Sequence, residues 1–165
     1  MAKAWKKGRG KLGFLEPLLG RWTASAESPM GPVSCTRVFE KVLGGSYVRL
    51  EALWRFGAAA APPPAGCEVT PPKPGGGYEE FALFGAGEDG RVAFWSFTSD
   101  GKRSQGTVAD VTDLHAEAVG FEAQMPAGLA RMAYWPGDGG GYVFVVESKN
   151  KSGWKRFVEH HYRAA

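Results

Sequence analysis

The segment from Trp154 to Arg163 concentrates side chains that can do chemistry, with Arg156, His160 and His161 set among Trp154, Phe157 and Tyr162. In an extended chain, alternation puts Trp154, Arg156, Val158, His160 and Tyr162 on one face. Lys155, Phe157, Glu159, His161 and Arg163 take the other. The first set is the more apolar and is expected to turn toward a core. An inward Arg156 needs an acceptor, because an unpaired buried charge is very costly. That acceptor is a protein carboxylate such as Glu117 or Glu80, or the acidic group of a ligand, which a guanidinium grips with two parallel hydrogen bonds. A third reading puts Arg156 near a mouth, with its charge in water. His160 and His161 face opposite sides, so they cannot hold one metal from the same face. With His115 the only other histidine, no zinc site is expected. His160 reads as a hydrogen-bonded wall residue or as a single axial ligand to haem.

Other chemistry finds less support. The chain has no Gly-x-Ser-x-Gly elbow, P-loop, dinucleotide fingerprint or His-Glu-x-x-His motif. Glu79 and Glu80 are neighbours, face opposite sides and make no catalytic pair. Gly75-Gly76-Gly77 and Gly139-Gly140-Gly141 lie between strands and open no helix, so they read as turns rather than phosphate cradles. Cys35 and Cys67 are too few for a metal site or a disulfide framework and are read as free thiols.

Elements must position these residues. A chain of 165 residues suits one domain. Aromatic residues make up 13%, with six Trp, which favours strands, and 24 glycines and 11 prolines break up long helices. Net charge is +3, but five of the 20 basic groups fall in residues 1–11, leaving 15 basic against 17 acidic residues in the body. Only the tail is basic, so nucleic acid is not the expected partner. No apolar run is long enough to span a membrane, and the tail lacks the apolar stretch of a secretory signal. A cytoplasmic protein is the expectation.

The pattern predicts a basic flexible tail over 1–11 and one β domain over 12–165. Residues 12–19 are expected to form one or two helical turns. Ten strands follow at about 21–28, 34–43, 46–56, 78–85, 91–98, 102–111, 115–124, 129–135, 142–149 and 154–163. Gly44-Gly45, Asp89-Gly90 and Asp100-Gly101 supply hairpin turns. Residues 57–77, rich in Ala, Pro and Gly, read as a long loop, either a disordered insertion or a lid. Ten antiparallel strands leave two open edges unless the sheet closes, and closure creates an interior able to hold a small ligand. The fold class is therefore all-β, an up-and-down barrel of about ten strands with a short N-terminal helical plug. Strand parity puts the plug at one end, the bottom, and the long loop at the other, and it brings Arg163 near Trp22.

Leu18-Leu19-Gly20-Arg21-Trp22 resembles the opening of lipocalin-type (calycin-like) barrels. Together with Gly44-Gly45-Ser46-Tyr47-Val48, Asp100-Gly101 and the closing aromatic-basic strand, it is most similar to the bacterial lipocalin-like proteins of the DUF1579 type. Haem-binding nitrobindins are more distant relatives by the same likeness. The resemblance implies a barrel whose Trp22 closes the floor and a basic residue of the last strand covering it. Nitrobindins carry an axial histidine on that strand; the corresponding Lys155-Arg156-Phe157 has none.

The third strand puts Val48, Leu50, Ala52, Trp54 and Phe56 on its inward face. The expected ligand-binding set is Trp54, Phe56, Trp154, Arg156, Val158, His160 and Tyr162, and the expected ligand is a small, mostly hydrophobic molecule. A haem protein acting on nitrogen oxides or peroxide, and a packed barrel without a ligand, are the competing readings. Strands five and nine are apolar on both faces, so the N-terminal segment, the long loop or a second subunit in a homodimer must cover them.

Overall fold

A computed structural model describes residues 4–28, 31–57 and 76–165. Most of the expected 57–77 loop, with Cys67, lies outside the described residues. The strands are β1 (Gly20–Ser28), β2 (Gly31–Val42), β3 (Tyr47–Phe56), β4 (Gly77–Ala86) and β5 (Val92–Thr98). They continue as β6 (Arg103–Ala109), β7 (Val119–Met125), β8 (Gly128–Pro136), β9 (Tyr142–Asn150) and β10 (Gly153–Ala164). All neighbours are antiparallel, and β10 returns to β1, so the sheet closes into an up-and-down barrel. The expected fold is the observed one.

Two seams are short. Among the described residues, β1 and β10 pair only through Trp22 with Ala164 and Thr23 with Arg163. β6 and β7 pair only from Thr107 with Glu122 to Ala109 with Gly120. Both ladders sit at the bottom, where β1 and β7 begin.

A 3-10 helix over Gly13–Leu18 plugs that end, with Leu15 and Leu18 fully buried. Trp22 packs edge-on against Tyr142 at 5.0 Å and donates its indole N–H to the Leu18 carbonyl at 2.6 Å. It thus closes the floor as expected. Arg163 is one register step away, opposite Thr23, and points outward, so it does not cover the indole. Trp5 packs against the hydrophobic core, which ties the basic N-terminal segment to the barrel.

The connection after β6 departs from the expected strand 115–124. Residues 110–118 instead cross the outer face of β7, β8 and β9, packing Val111 and Ala118 with Leu114 against Ala133, Val143 and Val145. This strap covers the outer apolar face of β9. Gly120 permits it, because a Cβ there would stand 2.6 Å from both methyls of Val111. The turn between β2 and β3 is also longer than expected. Val42 pairs with Tyr47, and Leu43, Gly44 and Gly45 all take positive φ between them.

Candidate functional site

The inward rows fill the barrel unevenly. Toward the bottom, Phe39, Phe84, Phe121, Tyr134, Tyr142 and Phe144 are buried. Their rings interlock, Phe84 with Phe121 at 5.1 Å, Tyr134 with Phe144 at 4.9 Å and Tyr142 with Tyr162 at 4.9 Å. Toward the top the inward residues are smaller or less covered. Trp54, Tyr78, Met125, Met132, Val146 and Val158 are only partly buried. Ala24, Ala52, Ala82 and Ala123 take up little of the space between them. The result is a gradient of burial, with ring-packed aromatics below and a partly covered apolar lining above. A shallow groove of about 510 Å³ lies at the rim, lined in part by Ala26, Val33 and Phe56.

Of the residues the sequence nominated, the barrel brings together Trp54, Phe56, Val158, His160 and Tyr162. Trp54 lies 5.0 Å from the His160 ring and 6.3 Å from Phe56, and His160 lies 6.0 Å from Tyr162.

Trp154 and Arg156 are not part of this group. Arg156 stands opposite Glu147 but Val158 opposite Val146, so Phe157 is an extra residue and the strand carries a bulge. One inserted residue reverses the alternation. Below the bulge Val158, His160 and Tyr162 point in; above it Trp154 and Arg156 point out. Arg156 finds protein carboxylates, but neither of those expected. It donates to Glu147 at 3.0 Å and to Glu159 at 2.7 Å. Glu147 is shared with the buried Arg131 at 2.8 Å, and Arg131 also holds Asp113 of the strap. Trp154 covers Arg131, whose guanidinium carbon is 4.2 Å from its ring centre. This network fastens the strap to the outside of the barrel.

The charged group inside is Arg37 on β2, which the sequence reading passed over. Val33, Cys35, Arg37 and Phe39 form the inward row of that strand, so a charge set in an apolar alternation was the available signal. Arg37 is 2% exposed, lies 3.8 Å over the Phe144 ring and donates to the Tyr134 hydroxyl at 2.9 Å. Its nearest carboxylate oxygen, on Glu80 of β4, is 4.0 Å away. Burial raises the Glu80 pKa, against the pull of Arg37 and Ser96. Burial also raises the phenols of Tyr134, Tyr142 and Tyr162, so all three stay neutral donors at ordinary pH.

Cys35 Sγ meets His160 Nδ1 at 3.6 Å. Burial pushes the thiol up to about 11 and the imidazole down to about 4, the latter helped by the charges of Arg37 and His161. At neutral pH the pair is thiol and neutral imidazole. A reactive cysteine needs thiolate character, and this one lacks it. His160 is 5% exposed, wedged between Trp54 and Tyr162 with one ring nitrogen on Cys35. No side of the imidazole is open to a porphyrin, so the residues do not fit axial haem ligation. Among the described residues no cluster of three or more His, Cys, Asp or Glu is placed to hold a metal ion, and no helix is long and apolar enough to cross a membrane.

No family model matches the chain, and no curated protein matches it.

Proposed function

We propose that this barrel binds a small, mostly hydrophobic molecule in its upper half, as in a cup. The gradient of burial along the inward rows carries the reading: ringed and closed below, partly covered and apolar above. Desolvating apolar surface against Trp54, Met132, Val146 and Val158 would supply affinity, at about 25 cal/mol per Å² removed from water. The likeness to DUF1579-type lipocalin-like proteins points the same way and belongs to this proposal. So does a cytoplasmic setting, to which the buried free thiol of Cys35 is suited. The outer face of β4 and β5, where Phe81 pairs with Phe97 and both are exposed, is the proposed contact with a second copy of the chain.

A neutral lipophilic dye, N-phenyl-1-naphthylamine, tests the cup. Its fluorescence is expected to rise on mixing with the protein, and Val158→Trp, which fills the hollow, should weaken binding about tenfold. Absence of any dye response, together with ligand-free native mass spectra of gently purified protein, rejects the proposal.

A further inference from the structure

The floor of the proposed cup holds donors short of good acceptors. Among the described residues Arg37 Nε makes no hydrogen bond. The buried hydroxyls of Tyr142 and Tyr162 make none of good geometry, Tyr142 having only a looser contact with Arg37 and Tyr162 one with the Cys35 thiol. These groups are neighbours. The Arg37 guanidinium carbon lies 5.7 Å from the Tyr162 ring centre, and Tyr162 stacks on Tyr142. Arg37 satisfies one nitrogen on Tyr134, itself a neutral hydroxyl. Buried polar groups in folded proteins are nearly always paired, and a buried guanidinium needs a counter-charge. What this floor lacks is an acceptor, and specifically an anionic one.

Glu80 does not meet that need. Its carboxylate stands 4.0 Å from Arg37 Nη2, beyond hydrogen-bond range. Its burial works against the ionised form. Yet its side chain is 25% exposed while Arg37 is sealed, so of the two it is Glu80 that an entering ligand would meet first. Glu80 faces Ala52 across the β3–β4 ladder and Thr98 across β4–β5. Ala52 offers it no contest for position, while the Thr98 hydroxyl is already donated to Asp100. With so small a neighbour and a partly exposed side chain, the carboxylate has room to swing aside when another acceptor arrives.

We infer that the ligand of the cup is an amphiphile bearing a carboxylate, whose anionic end displaces Glu80 from Arg37 while its apolar part lies against Trp54, Val146 and Val158. Arg37 supplies the charge and the Tyr142 and Tyr162 hydroxyls supply the remaining donors; a carboxylate has four lone-pair sites to receive them. The inference rests on the hydrophobic-ligand reading above and adds the headgroup to it.

Two matched probes separate the claims in the full chain: 11-(dansylamino)undecanoic acid and its methyl ester, titrated by fluorescence at pH 7. The acid is expected to bind at least tenfold more tightly than the ester, since hydrogen bonds to charged groups are the stronger kind. Arg37→Met should erase that preference while leaving ester binding in place. Glu80→Gln removes the competing carboxylate and should strengthen acid binding severalfold over the wild type, with little change for the ester. If Arg37→Met fails to fold by circular dichroism, the Glu80→Gln comparison decides alone. Equal affinity of acid and ester, or an acid-to-ester ratio that Glu80→Gln leaves unchanged or lowers, overturns the headgroup assignment and leaves the apolar cup standing. Failure of both probes to bind overturns the cup and the headgroup together.

Discussion

His160 shows how one side chain ties the interior to pH. In the folded chain its pKa is held down to about 4, against an ordinary value of 6.5, chiefly by burial. The unfolded chain therefore takes up a proton first as pH falls, and stability rises with pH across that window. Stability is expected to drop between about pH 6.5 and 4, by on the order of 3 kcal/mol from this group. Urea unfolding at a series of pH values measures it, and His160→Gln should flatten that part of the profile. An unaltered slope in the variant would assign the loss elsewhere. Glu80 titrates in the opposite sense: with its folded pKa raised, its contribution is present at low pH and fades as pH rises through the folded value. The residue scale is also where the sequence misled. Arg37 was legible as a lone charge in the row Val33, Cys35, Arg37, Phe39. Arg156 was not, because its orientation depends on a bulge at Phe157 that no residue type announces.

At the scale of elements, most of the barrel was legible. Period-two alternation in β3 put Val48, Leu50, Ala52, Trp54 and Phe56 inside, as the burial pattern has them. Glycine-bearing turns marked the strand ends. The strap over 110–118 was hidden for a physical reason: Val111, Leu114 and Ala118 are apolar whether they enter a ladder or lie across one, and their period did not separate the two. Its seat is specific enough to test. Gly120→Ala puts a methyl where the Val111 side chain and the Met132 carbonyl already are, so the strap must lift. Overpacking of this kind costs about 1–3 kcal/mol. Thermal unfolding should show a lower Tm, and limited proteolysis should cut near Leu114 sooner than in the wild type. Wild-type resistance at that site would mean the strap is held by the Arg131, Asp113 and Glu147 network alone.

On the scale of the whole molecule, two faces of the sheet have different fates. The strap shields β9, while Phe81 and Phe97 on β4 and β5 remain 40% and 49% exposed. These neighbouring exposed rings make a small apolar patch, which the proposed second copy would cover. Sedimentation velocity over a range of concentrations is expected to show a monomer–dimer equilibrium that Phe97→Lys shifts to monomer. A single monomeric species at every concentration removes the second copy from the proposal.

The brevity of the two bottom ladders has a mechanical consequence. With β1 joined to β10 at two residue pairs and β6 to β7 at three, the wall is two curved plates, one of six strands and one of four, hinged at their base. Such plates can part at the rim without losing a backbone hydrogen bond and without disturbing the ring-packed foundation. On the proposed reading, a ligand would enter the upper barrel by a breathing motion along these two slits, with no unfolding.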